Sequence, residues 1–199
     1  MTVEPSSLAT NQPRLRRRSP LAPDRDRLPP ALAEIPFLTQ IGVRFDPAVE
    51  DGLAAVETAL GVVLPIVPNT VTSRGDRFAL WLGPDEWLVV GPDGDEIAQP
   101  LAAALTGVMA SVLDMSANRT TIEIRGPRAR EVLEAGCSID LHRRAFGPGQ
   151  CAQTWLARAN VILHQLDDEP RYRILVRPSF VPYLATWLLD TVTDARRQP

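Results

Sequence analysis

Two runs rich in aromatic and β-branched residues, Leu80-Trp81-Leu82 and Trp87-Leu88-Val89-Val90, flank the link Gly83-Pro84-Asp85-Glu86. That pattern predicts a β-hairpin closed by a type I turn, with Pro84 presetting φ at the first corner and Asp85 suited to the second. The indoles of Trp81 and Trp87 each need a large apolar surface to cover them. The hairpin is therefore expected in the middle of a sheet with helices over one face. Upstream, residues 35–45 end in alternating apolar positions and predict one strand. Asp46 and Pro47 read as the N-cap and first position of a helix running through Leu53, Val56, Glu57 and Leu60, with Gly61 as its left-handed terminator. Residues 64–69 hold too much proline for a central strand and read as a connection, residues 91–94 as a turn, and a helix is expected to include residues 101–108.

The same grammar then repeats. Residues 112–116 lead into a strand at 120–125 with Ile122 and Ile124 on one face; Gly126-Pro127 opens a helix carrying Val132 and Leu133, which Gly136 closes. Strands are predicted at 151–157, 160–166 and 172–176. Ser179 is expected to cap a last helix with Phe180, Tyr183, Leu184, Trp187, Leu188 and Val192 on one stripe. Each half sums to β-α-β-β-α, which resembles a split βαβ, ferredoxin-like unit. The expected fold class is α+β, two packed lobes of antiparallel sheet covered by helices. The boundaries are an Arg/Pro-rich extended arm at 1–30, a first lobe at 31–110 and a second at 111–199.

The arm holds six prolines, six arginines and few large apolar residues, so it is expected to lack order by itself and to dock on an acidic partner surface. Arg14, Arg16, Arg17 and Arg18 are its candidate contacts. Asp85 and Trp87 of the hairpin are the candidates on the folded part. A formal net charge of -3 argues against a nucleic-acid binder. No apolar run approaches the roughly 20 residues of a membrane span. The arginine run at 16–18 is followed by Ser19-Pro20 rather than the apolar stretch of an export signal, which points to the cytoplasm.

Candidate chemistry is sparse. Cys137 and Cys151 form no C-x-x-C, and His142 and His164 stand too far apart in sequence for a metal motif. Ser116, in Asp114-Met115-Ser116, lacks the glycines of a nucleophile elbow; Asp114 and Ser116 read as capping groups where one strand turns into the next. The carboxylate pairs Asp85-Glu86 and Asp167-Asp168 fall in exposed turns, where neither is tuned for acid–base work. No catalytic, cofactor-binding or metal-binding residue is assigned, which favours an interaction role over an independent enzyme.

Pro68-Asn69-Thr70, the segment from Leu80 to Leu88, Asp114-Met115-Ser116-Ala117-Asn118-Arg119-Thr120 and Arg125-Gly126-Pro127-Arg128-Ala129 together resemble the gamma subunit of heterotetrameric sarcosine oxidase. The likeness extends from about Arg18 to the last helix, and the Asp-x-Ser strand with its Gly-Pro helix start also resembles the fold of the glycine-cleavage aminomethyltransferase. The resemblance implies a scaffold chain in a cytoplasmic complex with alpha, beta and delta subunits. That complex demethylates sarcosine to glycine, releasing hydrogen peroxide and delivering the one-carbon unit to tetrahydrofolate. It further implies that FAD, FMN, NAD, zinc and tetrahydrofolate belong to the partners and none to this chain. The alternative is a free-standing folate-binding one-carbon protein of the aminomethyltransferase fold.

Overall fold

The computed structural model describes residues 17–23 and 25–197. Among these residues ten strands form two five-stranded antiparallel sheets. The first contains β2 (Thr39–Phe45), β3 (Val71–Arg74), β4 (Arg77–Gly83), β5 (Glu86–Gly91) and β6 (Ala110–Asp114), in the order β3-β4-β5-β2-β6. The second contains β1 (Leu32–Ile35), β7 (Thr120–Arg125), β8 (Cys151–Leu156), β9 (Ala159–Asp167) and β10 (Arg171–Val176), in the order β1-β7-β10-β9-β8. Helices α1 (Gly52–Leu60) and α2 (Ala98–Ala104) cover one sheet; α3 (Ala129–Glu134) and α4 (Val181–Arg197) cover the other.

Read from β6 and from β1, the two sheet orders are equivalent: a fourth strand, a first, a third, a second, and one extra edge strand. Each lobe is thus a ferredoxin-like unit, as the repeated grammar predicts. The fourth strands come from different places. The first lobe supplies its own, β6, after α2; the second takes β1 from upstream of the first lobe, pairing Leu32 with Ile124 and Ile35 with Thr121. A single strand over residues 35–45 is therefore incorrect. Phe37 adopts a left-handed φ of 63°, which ends β1 and lets the chain cross to β2 in the other sheet.

Three cores follow from this arrangement. Val43, Val56, Trp87 and Leu101 lie between the first sheet and its helices. Ile124, Leu133, Ile174 and Leu188 do the same for the second. Phe78, Leu80, Leu88 and Val90 meet Cys151, Ile162 and Leu175 where the sheets face each other. Because β4 and β5 are apolar on both faces, they belong at the centre of this stack.

The hairpin forms as predicted, with Trp81 opposite Trp87 and Gly83 opposite Glu86. Neither Pro84 nor Asp85 has a positive φ, and a bulge between Trp81 and Gly83 absorbs the twist mismatch of an unprimed corner. Gly61 ends α1 at φ 72°, as expected, but α1 starts at Gly52. Asp46 instead accepts from the N–H of Ala48 at 2.9 Å, closing a turn before the helix. The second helix, Ala98–Ala104, includes Leu101 as expected but stops short of Val108. Ser179 lies inside a short 3-10 turn, Pro178–Phe180, rather than at the N-cap of the last helix, which starts at Val181. Strand β3, short and polar, escaped the sequence pattern.

Gly136 follows α3, yet its φ is not positive. Its hydrogen side is needed for space: a Cβ there would stand 2.6 Å from Cζ2 of Trp187 on α4. The arm expectation is corrected from Arg17 onward. Leu21 is 1% exposed in the second core and Leu28 packs against it, so this part of the segment is built into the body. Arg14 and Arg16 lie outside the described residues.

Candidate functional site: a basic cleft at the 114–120 turn

The chain passes from one sheet to the other between Asp114, the last residue of β6, and Thr120, the first of β7. Oδ1 of Asp114 accepts from the backbone N–H of Ser116 at 2.8 Å and from its hydroxyl at 2.6 Å. These bonds hold the Asp114 carboxyl below its ordinary pKa. The Ser116 hydroxyl in turn accepts from the N–H of Gln40 at 3.0 Å, the Met115 N–H donates to the Gln40 carbonyl at 2.7 Å, and Nε2 of Gln40 donates to the Arg119 carbonyl at 2.8 Å. Asp114 and Ser116 thus do the capping work expected of them, and the turn is held rigidly against β2.

A cleft of about 630 Å³ opens beside this turn, bounded by Arg17, Arg18, Phe37, Asp93, Arg119 and Pro178 among others. Arg17 is spent internally. Its Nη1 donates to Oδ1 of Asp93 at 2.6 Å, its Nη2 to the Phe37 carbonyl at 3.3 Å, and its guanidinium lies 4.3 Å over the Phe37 ring. Arg18 is exposed and makes no ion pair with the described residues. Arg119 is half-buried, and its Nη1 is closed off from solvent without a hydrogen-bond partner among the described residues. Burial, and then the nearby positive charge of Arg177, lower its pKa, against a weaker opposing pull from Glu86.

The remaining candidate contacts do not gather in this cleft. Asp85 stands at the hairpin corner and pairs with Nη2 of Arg44 at 3.1 Å, both side chains about half exposed. Trp87 cannot touch a partner: it is 1% exposed, its Nε1 donates to the Pro65 carbonyl at 2.7 Å, and its ring lies 5.1 Å from that of Phe45. It sits on the helix-covered face of a central strand. Arg119 was missed because nothing in Asn118-Arg119-Thr120 distinguishes a cleft arginine from a solvated one.

The residue types that could act as nucleophile or base are built into the frame. Cys151 is buried where the sheets meet, with Sγ 3.4 Å from the Trp81 carbonyl, and burial pushes its thiol up to about 12. His164 is 6% exposed, opposite Arg173 on β10 and 5.4 Å from the Phe78 ring; burial, helped by Arg173, pushes it down to about 4. Its Nδ1 finds no partner among the described residues. Among the described residues no three His, Cys, Asp or Glu side chains gather as a metal site would require. A larger cavity of about 820 Å³ lies between Pro127 and the end of α4. The arginines at its mouth are engaged, Arg128 with Glu131 and Arg171 with Asp167, both at 2.8 Å. No helix of the described residues is long and apolar enough to cross a membrane.

Comparison with known proteins gives a consistent answer. Residues 42–194 match the sarcosine oxidase, gamma subunit family. The sarcosine oxidase subunit gamma of Corynebacterium sp. (strain P-1) is 42% identical over 169 residues, 84% of this chain and 82% of that one. That of Arthrobacter sp. is 42% identical over 164 residues, 82% of this chain and 80% of the relative. Among solved structures, a chain of the heterotetrameric sarcosine oxidase from Corynebacterium sp. U-96, in complex with pyrrole 2-carboxylate, superposes with a TM-score of 0.84 at 35% identity. The overlap covers 92% of this chain and 98% of that one. The glycine cleavage system aminomethyltransferase T from Bartonella henselae shares the fold at a TM-score of 0.59 and 19% identity, over 79% of this chain and 45% of that one.

Proposed function

The chain belongs to the sarcosine oxidase gamma subunit family, and from that premise we propose that it is the gamma subunit of a heterotetrameric sarcosine oxidase, holding the assembly together without performing a reaction step. The observation that carries this reading is the end-to-end overlap with a chain of such a tetramer, at a TM-score of 0.84. The side chains support it. Asp114 and Ser116 close a turn, Cys151 is a buried thiol against carbonyl oxygens, and His164 is a buried neutral ring.

In this reading alpha, beta and delta subunits complete the complex in the cytoplasm. They carry FAD, FMN, NAD, zinc and the tetrahydrofolate site. The assembly converts sarcosine to glycine with release of hydrogen peroxide and transfer of the one-carbon unit to tetrahydrofolate. Arg14, Arg16, Arg18 and the hairpin corner at Asp85 are the residues we assign to partner contact. The chain's contribution is then mechanical: two ferredoxin-like lobes, locked together by strand β1 and the inter-sheet core, present a rigid surface to larger neighbours.

Co-expression with and without this chain tests the proposal. The complete set should yield a yellow complex with sarcosine-dependent peroxide release. Omission should lower the yield or stability of the complex, while any correctly assembled remainder keeps its turnover per flavin. A remainder that assembles normally, or an isolated gamma chain that itself turns over sarcosine, would contradict it.

A further inference from the structure

We propose that β6, the outer strand of the first sheet, receives an extended segment of a neighbouring subunit, which adds to the sheet as a further strand and seats apolar side chains in the cavity beside it. The inference rests on the subunit reading and says where one partner is held. The two sheets have four edges, and three of them are protected within the chain. Outside β8, Cys151 donates to the Asn69 carbonyl at 2.8 Å and the Trp155 carbonyl accepts from Ser138 at 3.1 Å. Strand β3 is four residues long, and Thr72 and Arg74 bond back to the carbonyls of Val63 and Gly61. Strand β1 is equally short, carries Glu34 and has no exposed residue. Short length, charge and cover are the ordinary protections of a sheet edge.

Strand β6 has none of these over most of its length. Ala110-Ser111-Val112-Leu113 contains neither charge nor proline, and its register with β2 runs without a bulge. The Met115 N–H donates to the Gln40 carbonyl at 2.7 Å, which sets the alternation of the ladder: Leu113 and Ser111 turn their main-chain groups toward β2, while Ala110 and Val112 turn theirs outward. Among the described residues no backbone bond reaches those outward groups. Leu113 lies opposite Gly42, which has no side chain to cover it, and is 60% exposed; Met109, just before the strand, is 96% exposed. At the Met109 end a cavity of about 910 Å³ is walled by Phe45, Pro47, Val49, Pro84 and Met109. Free main-chain groups beside an apolar recess are what strand addition uses, the backbone supplying affinity and the recess selecting side chains.

The surroundings specify the occupant as an extended apolar segment with a basic residue near the cavity. Of the charged groups lining it, Arg44 and Asp85 pair at 3.1 Å, which leaves Asp46, bonded among the described residues to the N–H of Ala48. Glu50 and Asp51, both exposed, follow in the same loop. The β6 strand of a second copy has only Asp114 to offer as a charge, and the solved chain that overlaps this one end to end belongs to a heterotetramer, so the segment comes from a different subunit.

The test uses the full chain and its co-expressed partners. Ala110→Pro removes an outward N–H at the first position of β6, where proline leaves the ladder to β2 intact, and Leu113→Lys puts a charge on the edge. Affinity for the remaining subunits is measured by biolayer interferometry at two salt concentrations, and the melting temperature of each isolated chain is recorded. Both variants should lose affinity by about tenfold or more while melting close to the wild type. Asp46→Asn should bind with a shallower salt dependence; an unchanged one overturns the basic residue. Hydrogen exchange resolved to single amides in the wild type gives a readout free of any mutation. The Ala110 and Val112 amides should exchange about tenfold or more slowly in the complex than in the isolated chain. Equal exchange in the two states with unaltered affinity of both variants overturns the edge site and leaves the subunit reading intact, whereas a wild-type chain that fails to associate overturns both. Protection already present in the isolated chain overturns the partner as occupant: loss on deleting residues 1–16 assigns the edge to the chain's own N-terminal segment, and loss on dilution assigns it to a second copy.

Discussion

Acidification should weaken the fold in a window set by one side chain. His164 on β9 is 6% exposed, faces Arg173 across the β9–β10 pair and Cys151 across the β8–β9 pair, and lies 5.4 Å from the Phe78 ring. Protonation in that setting meets both desolvation and the Arg173 charge, so the folded-state pKa falls from its ordinary 6.5 to about 4. In the unfolded chain the ring takes up its proton near 6.5; in the folded chain it does so only near 4. The unfolded state therefore binds more protons between these values, and stability is complete above the upper one and declines as pH falls toward the lower. With about 1.4 kcal/mol per pH unit for one proton, the decline amounts to about 3 kcal/mol.

Urea titrations of the isolated wild-type chain and of His164→Leu, at intervals from pH 7.5 to pH 4, measure the effect as a difference in which carboxylate titrations cancel. Asp114 falls outside the window, because its contribution is retained above its ordinary 3.8 and lost only as pH drops through its lowered value. The expected result is that the variant's disadvantage at pH 7.5 shrinks or reverses by about 3 kcal/mol at pH 4. Parallel curves for the two proteins would refute the assignment of a buried neutral imidazole.

Three further outcomes follow from the packing. Trp87→Phe removes the indole N–H that satisfies the Pro65 carbonyl at 2.7 Å and leaves a void beside Phe45; it should cost about 2–3 kcal/mol by urea unfolding, and a cost near zero would contradict the buried placement. Gly136→Ala drives a methyl to 2.6 Å from the Trp187 ring and should cost about 1–3 kcal/mol, recovered in part by Trp187→Leu in the same chain; a lack of recovery would place the strain elsewhere. Asp95→Asn weakens the two-pronged pair with Arg77, at 2.6 and 2.7 Å, that ties the loop after β5 to β4, and should lower the melting temperature by several degrees where Asp85→Asn, at an exposed pair, has little effect.

The sequence pattern is most legible where structure is local. The hairpin around Pro84-Asp85, the terminator Gly61 and the strands of the second lobe each depend on neighbours a few residues away, and each forms as predicted. What escaped depends on contacts distant in the chain. That β1 belongs to the second sheet is decided by its pairing with β7, some 90 residues on, and by the left-handed turn at Phe37, which no residue preference announces. Gly136 reads as a helix terminator until Trp187 is seen lying against it. The boundary case is the arm: Leu21 and Leu28 are too few to predict order by composition, yet the second core has a place for both. The cleft was illegible for the same reason, since Arg18 and Arg119 come from separate segments and only the fold brings them to one cleft.

The central claim is that this chain works as one member of a heterotetramer, and the mass of the intact assembly tests it most directly. The tagged chain, purified from its native cells under gentle conditions, would be examined by native mass spectrometry with the flavin absorption recorded on the same sample. A yellow particle of four different chains is expected, with the 21.8 kDa chain present once, that dissociates into identifiable subunits on activation. A colourless chain at the mass of its own monomer or homo-oligomer, from cells that contain active sarcosine oxidase, would contradict it.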